Sequence, residues 1–319
     1  MDIEEACQEY LATLKRLRPL TVKGYEQRLN VFCQWIDEAN KKKVIDHLKK
    51  ITLETVNVYV VDNFVEHLKI YHKSHKAGQE VSSHTLAGYV RVIKCFLNWC
   101  MDDEEYSQYV KLSTVRRIKL PKLEQKIIEV FSEEQLAALR KACKLEYNVH
   151  LQLRDECIVF LLIATGLRAF ELCELTIENT RLDPKESYVK VLGKGSKWRE
   201  VPMDDRTRRL LKIYKSRYRS EAAPGDTFFV GRAEARPLTV SGLEKIIARL
   251  GEWAGITGVR CSPHTFRHTF AVTFMKAIGD IYLLSKLMGH SSVRVTEEYL
   301  KSFTGKEVRL SLLKRMKEL

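Results

Sequence analysis

The sequence predicts a mainly α-helical chain with one small β-hairpin, divided into two domains. Three observations carry this. Apolar residues recur at helical spacing through most of the chain. The one alternating stretch, residues 187–192 and 198–202, flanks a turn bearing two glycines, Gly193 and Gly195. Residues 102–130 interrupt the helical pattern with an acidic run and then a basic one, before a fresh helix start. At 319 residues the chain exceeds the usual single domain and suits two.

The first helix is expected over 3–17, where Ile3, Ala6, Cys7, Tyr10, Leu11 and Leu14 share a face and Pro19 stops the pattern. A second spans 22–39 through Tyr25, Leu29, Phe32, Cys33 and Ile36. A third covers 53–71, and a fourth opens at Ser82 or Ser83 and reaches Cys100 through Leu86, Tyr89, Val90, Ile93, Phe96 and Leu97. Four amphipathic helices make a small bundle, assigned to residues 1–110. Its polar edges carry Lys15, Arg16, Arg18, Lys23, Arg28, His84, Arg91 and Lys94. A solvated face is the ordinary reading of any one of these. The sharper reading lays the second and fourth helices along DNA, with Lys23, Arg28, Arg91 and Lys94 on phosphates.

Residues 111–130 read as a basic, extended linker carrying Arg116, Arg117 and Lys119, suited to crossing a DNA backbone. The second domain, 131–319, opens on a capping box in which Gln135 follows Ser132 by three. Helices are expected at 133–145 and 150–165, with a restart at Arg168 after the flexible Gly166. The hairpin follows, with Lys194 and Lys197 in its tip and Arg199 beside it. Helices at 205–220 and 239–253 bracket a short strand at 227–230, and three more cover 264–277, 280–288 and 293–303. A last amphipathic helix runs over 306–317.

Charge narrows the partner. The formal net charge is +13, which favours a polyanion. Lysine and arginine exceed aspartate and glutamate by 21 to 18 over residues 1–130 and by 33 to 23 over 131–319, so the second part carries most of the surplus. The eight cysteines form no CxxC pair and mostly sit in apolar helical patterns, which reads as reduced thiols in a cytoplasmic protein. The longest apolar run, 157–164, is far below the roughly 20 residues that span a bilayer. The acidic start lacks the features of a signal peptide, and no membrane association is expected.

Four clusters carry chemistry: ATGLRAFEL at 164–172, GKGSKWRE at 193–200, HTFRHTF at 264–270 and MGHSSVRVTEEYL at 288–300. A phosphodiester under in-line attack gathers negative charge on its non-bridging oxygens and needs fixed cations there. Arg168 and Arg267 are suited to that, since a guanidinium grips two phosphate oxygens and never loses its proton. Glu171 lies one turn beyond Arg168 and can orient it. His264 shares a helix face with Arg267, and His290, after Gly289, a helix C-cap by its type and place, can bond the phosphate or help deprotonate a phenol. Tyr299 is the candidate nucleophile, needing nearby positive charge because an ordinary phenol ionises near pH 10. Lys194 can protonate the departing sugar oxygen. No carboxylate cluster suited to metal ions and no P-loop is present, so neither a metal nor any other cofactor is implied.

Taken together, these four motifs resemble the tyrosine recombinases, the group of lambda-type integrases and Xer-type resolving enzymes. The resemblance covers essentially the whole chain and is most specific over 164–303. It implies an N-terminal helical, SAM-like core-binding domain and a C-terminal α+β catalytic domain. Carried over position by position, it implies a catalytic set of Arg168, Lys194, His264, Arg267, His290 and Tyr299, with Glu171 in support. It further implies strand cleavage to a 3′-phosphotyrosine and a free 5′-hydroxyl on double-stranded DNA at specific paired sites. The implied assembly is a homotetramer coupled by exchange of the C-terminal helix, with room for an accessory factor or a second recombinase. Integration, excision, resolution and inversion stay open, as does whether Tyr299 acts on its own subunit's site. Two other readings remain: a DNA-binding accessory protein without strand transfer, and a type IB topoisomerase-like enzyme. Lys197 is weighed against Lys194 and placed second. His268 and Cys261 are read as structural.

Overall fold

The chain divides into two units, residues 1–126 and 127–319, each with its own apolar core. The computed structural model describes residues 2–300 except 43, 45–47, 49, 72–79, 125–127, 194–196, 233–235 and 291. The expected helix over 306–317 lies outside the described residues, and so does Lys194.

The first unit is helical: α1 (Ile3–Thr13), α2 (Pro19–Lys42), α3 (Val58–Tyr71), α4 (Ser83–Asp102) and α5 (Leu112–Arg117). Its core is aromatic, with Phe32 edge-on to Phe64 at 5.0 Å and Tyr10 against Trp99 at 5.5 Å. Three boundaries differ from expectation for local reasons. The α1 pattern ends at Thr13, and a tighter 3-10 turn carries Leu14–Arg16. Pro19 opens α2 where it was read as a stop: proline lacks an N–H that the first helical turn would leave unpaired anyway. Before α3, Thr52 and Thr55 bond each other in a turn, and the Asn57 side chain accepts from the Val60 N–H, so the helix begins at Val58.

The extended linker is also corrected. Residues 112–117 form α5, and Val115 and Ile118, three apart on one face, are buried in the first unit's core. Six helical residues are too few to show a period in the sequence.

In the second unit, α6 (Glu133–Ala142) starts on the reciprocal Ser132–Gln135 capping box. Helix α7 (Val149–Thr165) is apolar nearly all round and buried accordingly; α9 (Asp205–Tyr218) and α11 (Pro263–Ala277) pack on it. After α8 (Ala169–Cys173) comes a three-stranded antiparallel sheet ordered β1 (Thr180–Leu182), β2 (Ser187–Leu192), β3 (Trp198–Pro202). Its register aligns Thr180, Val189 and Val201, all buried. At three residues, β1 gave no alternation to read. The strand expected at 227–230 is instead two isolated bridges, Thr176 with Thr227 and Val230 with Pro237, around the fully buried Phe228 and Phe229.

Helices α9 (Asp205–Tyr218), α10 (Val240–Trp253), α11 (Pro263–Ala277), α12 (Ile281–Met288) and α13 (Val293–Leu300) complete the unit. Packing of α11, α12 and α13 on one another creates a small second core that includes Met288 and Tyr299. All eight cysteines are free thiols. Among the described residues, no helix is long and apolar enough to cross a membrane.

Candidate active site

Two helix ends build the site. Helix α7 stops at Gly166, which takes a left-handed φ of 58°. A Cβ there would stand 2.5 Å from the Phe270 ring, so both conformation and space require glycine. The chain then places Arg168 at the N-cap of α8, where the Glu171 carboxylate accepts from the Arg168 N–H and its guanidinium, each at 2.9 Å. Helix α12 stops at Gly289 in the same left-handed way: the Gly289 N–H bonds the Lys286 carbonyl, and His290 N–H bonds the Ser285 carbonyl. This double bond pattern fixes His290 immediately beyond the helix.

Three guanidiniums converge on the last carbonyls of α12. Arg199 Nε donates to Leu287 O at 2.7 Å, Arg267 Nη2 to Met288 O at 2.6 Å, and Arg168 Nη2 to Gly289 O at 3.1 Å. A helix C-terminus presents unpaired carbonyls and a partial negative charge, so cations are favoured there. Arg267 also donates from Nη1 to Gly166 O at 2.9 Å, joining the two helix ends.

Glu171 is the counter-charge. Its side chain is fully buried, and Arg199 grips it from Nη1 and Nη2 at 2.7 and 2.8 Å. Burial alone would raise its pKa, but the hydrogen bonds and charge of Arg199, then of Arg168, outweigh it and hold the carboxyl below the usual range. Arg267 is buried; desolvation first, and the neighbouring Arg168 next, lower it to about 10, still charged at neutral pH.

His290 is pushed down to about 4 by burial and then by Arg267, Arg168 and Arg199, so it is neutral. Its tautomer follows from its partners. Arg267 Nη2, which can only donate, stands 3.0 Å from Nε2; Nδ1 therefore carries the hydrogen and donates to Thr296 Oγ1 at 2.9 Å. Tyr299, 5 % exposed, lies with its ring parallel to His290 at 6.3 Å, and its hydroxyl is 3.2 Å from His268 Nδ1. Desolvation raises the phenol pKa despite the opposing charge of Arg267 and Arg168 and a hydrogen bond from Arg267. His264, one turn before Arg267 on α11, is at the exposed rim, its pKa lowered by partial desolvation and by Arg267 and Arg260.

Arg168, Glu171, Arg267, His290 and Tyr299 thus meet in one cluster with His264 beside it, drawn from three of the four sequence clusters. Three residues hold positions that the sequence reading missed. His268, read as structural, touches the Tyr299 hydroxyl. Thr296, fully buried, holds the His290 tautomer. Arg199 is corrected: expected on DNA, it turns inward and engages Glu171 and Leu287 through all three nitrogens. Of the other basic candidates, Lys23, Arg91, Arg116, Arg117, Lys119 and Lys197 are exposed. Lys94 is corrected as well, since its ammonium donates to the Ile118 carbonyl behind α5. Arg28 bonds the Gly24 carbonyl at 2.8 Å and lies 5.9 Å over the Tyr89 ring. Among the described residues no group of three or more His, Cys, Asp or Glu side chains could hold a metal ion.

The phage integrase family profile matches residues 129–305, more than half of the chain and the whole of this cluster. The chain belongs to the phage integrase family. It is a tyrosine recombinase, an enzyme of site-specific DNA recombination. A tyrosine recombinase of Agathobacter rectalis is 27 % identical over 91 % of this chain and 89 % of its own length. The tyrosine recombinase XerD of Oceanobacillus iheyensis is 27 % identical over 93 % of each chain. Among solved structures, a post-cleavage complex of the XerH site-specific recombinase with palindromic difH substrate matches with a TM-score of 0.72 at 20 % identity, covering 99 % of this chain and 84 % of that one. The Tn1549 transposon integrase bound to transposon right end DNA matches with a TM-score of 0.73 at 17 % identity, covering 98 % and 99 %. These structures share the fold: mainly helical, with a small sheet and two domains.

Proposed function

We propose that Tyr299 is the nucleophile, attacking a phosphodiester of double-stranded DNA to leave a 3′-phosphotyrosine and a free 5′-hydroxyl, which then rejoins the strand to a partner duplex. Supporting the reading is one juxtaposition: a phenol near the end of the described chain lies within the field of Arg267 and Arg168, which come from segments 32 and 131 residues upstream. Arg168 and Arg267 hold the non-bridging oxygens, and Glu171 fixes Arg168. His264 bonds the phosphate, His290 positions the Arg267 guanidinium through Nε2, and Lys194 protonates the 5′ oxygen as it leaves. The guanidiniums supply the fixed charge, and the phosphotyrosine conserves the bond energy, so the reaction runs without metal or ATP. Because Tyr299 already faces its own subunit's Arg267 and His268, it acts on its own subunit's site.

The substrates are specific paired sites in the cytoplasm, held by a homotetramer in which the segment 306–317, expected to be helical, passes to a neighbouring subunit. Integration and excision of a mobile element, or resolution, are the settings; the transposon-end DNA and the difH substrate held by the two neighbouring structures span both. The test is a half-site DNA nicked near the cleavage point, incubated in EDTA with wild type and with Tyr299→Phe. A denaturation-resistant protein–DNA adduct is expected with wild type alone. An equal adduct with Tyr299→Phe overturns the nucleophile.

A further inference from the structure

We infer that His268 is the general base that takes the Tyr299 proton during strand cleavage; the inference rests on Tyr299 being the nucleophile. Among the described residues four groups lie near the phenol, and they differ in what they can do for its proton. Arg267 bonds the phenol, but a guanidinium only donates. His290 stacks on the ring, yet both of its nitrogens are engaged: the Nε2 lone pair accepts from Arg267, and the Nδ1 hydrogen goes to Thr296. His264 sits at the exposed rim one turn before His268, its ring centred 6.4 Å from that of His268. His268 remains, with Nδ1 3.2 Å from the hydroxyl, inside the reach of direct proton transfer.

Its placement is held on both sides. Thr269, the next residue, donates to the Thr265 carbonyl and accepts from the Phe131 N–H, pinning α11 at that turn. Tyr299 is buried in the small core shared by α11, α12 and α13. The charged and titratable groups facing His268 are His264 and Arg267 on its own helix and Tyr299 on α13, and partial desolvation together with His264 and Arg267 lowers its pKa, which favours the neutral imidazole; in its Nε2–H tautomer, Nδ1 accepts from the Tyr299 hydroxyl.

The step balances. As Tyr299 Oη bonds to phosphorus, its proton passes to Nδ1; the bond from phosphorus to the 5′ oxygen breaks, and that oxygen takes a proton from the leaving-group donor, proposed to be Lys194. In rejoining, a 5′-hydroxyl bonds to phosphorus and gives its proton to the now neutral leaving-group donor, while the bond from phosphorus to Oη breaks and the imidazolium returns its proton to Oη.

The experiment is single-turnover adduct formation on the nicked half-site, from pH 5 to 9, with wild type, His268→Asn and His268→Ala, alongside DNA affinity by mobility shift. His268→Asn keeps a polar atom where Nδ1 stands, so it folds and binds DNA as wild type does even where His268→Ala is unstable. The expected rate loss is ~10²-fold or more, with the acidic fall of the wild-type pH profile flattened. A substrate with sulfur in place of the bridging 5′ oxygen needs no leaving-group proton; it restores Lys194→Ala and leaves His268→Asn slow. The inference is overturned by an Asn variant within threefold of wild type, by an acidic limb that persists in it, or by rescue with sulfur. An absent wild-type adduct, or one formed by Tyr299→Phe, would instead indict the nucleophile.

Discussion

Glu171 is a buried carboxylate paired with both Arg168 and Arg199. Two arginines meet on a carboxylate with no exposed surface, and they in turn hold carbonyls of α12. Removing one member of a buried charge cluster strands the others, so Glu171→Gln is expected to destabilise the second unit by about 3 kcal/mol and to abolish cleavage through misplacement of Arg168. The pH dependence has a definite sign. The folded pKa is depressed, so the contribution to stability is complete above the ordinary glutamate value of roughly 4.3 and is lost as pH falls through the lower folded value. Urea unfolding from pH 3 to 7 checks this: the acid loss of stability should shrink in Glu171→Gln, and an unchanged acid limb would assign it to other carboxylates. The pairing of Arg168 with Glu171 was legible from their spacing of three. The grip of Arg199, twenty-eight residues away on β3, was not, because a tertiary ion pair leaves no periodic trace. For the same reason His268 read as structural: its partner is 31 residues distant, and nothing local distinguishes it.

At the scale of elements, the site is two helix ends tied by guanidiniums, and glycine sets both ends. The two glycines differ in what a methyl group would meet. At Gly166, a Cβ contacts the Phe270 ring and its Cβ at 2.5–2.9 Å, all parts of a packed residue that cannot retreat. At Gly289 the nearest atoms belong to the Arg199 side chain, at 2.9–3.2 Å, a flexible stem that can shift only by giving up bonds to Glu171 or Leu287. Both substitutions also strain a left-handed backbone, at about 1–3 kcal/mol each. Gly166→Ala should therefore lose more stability than Gly289→Ala, by thermal unfolding. Gly289→Ala should lose more adduct formation per unit of stability lost, since it displaces Arg199 from Glu171 and shifts His290. The reverse order of stabilities would mean that Arg199 is the stiffer neighbour. These helices were read well from apolar spacing, and the α6 start from its capping box. Short elements escaped: α5 and β1 are shorter than a period can register, and Pro19 fits a helix start as well as a stop.

Over the whole molecule, the two cores draw on separate stretches, residues 3–118 for the first and 128–299 for the second, and every described site residue comes from the second. The chemistry therefore belongs to one unit. The charge surplus is also greater in the second part, so it has its own attraction for phosphates. Cutting the chain at 126/127 should leave a second unit that still forms the Tyr299 adduct on a nicked half-site. What it should lose is affinity, because two linked modules on one duplex bind as a chelate, an advantage on the order of 10²-fold or more. Adduct formation titrated against enzyme concentration separates the two effects: the half-saturating concentration should rise by about that factor while the maximal rate stays within a few-fold. The salt dependence should also flatten, since fewer phosphates are neutralised when Lys23, Arg91, Arg116 and Arg117 are gone. A maximal rate that collapses even at saturating enzyme would mean that the first unit takes part in assembling the catalytic cluster, against the separation of the cores. A half-saturating concentration that does not move would mean that the exposed cations of the first unit do not touch DNA, and the sharper reading of its basic edges would fall with it.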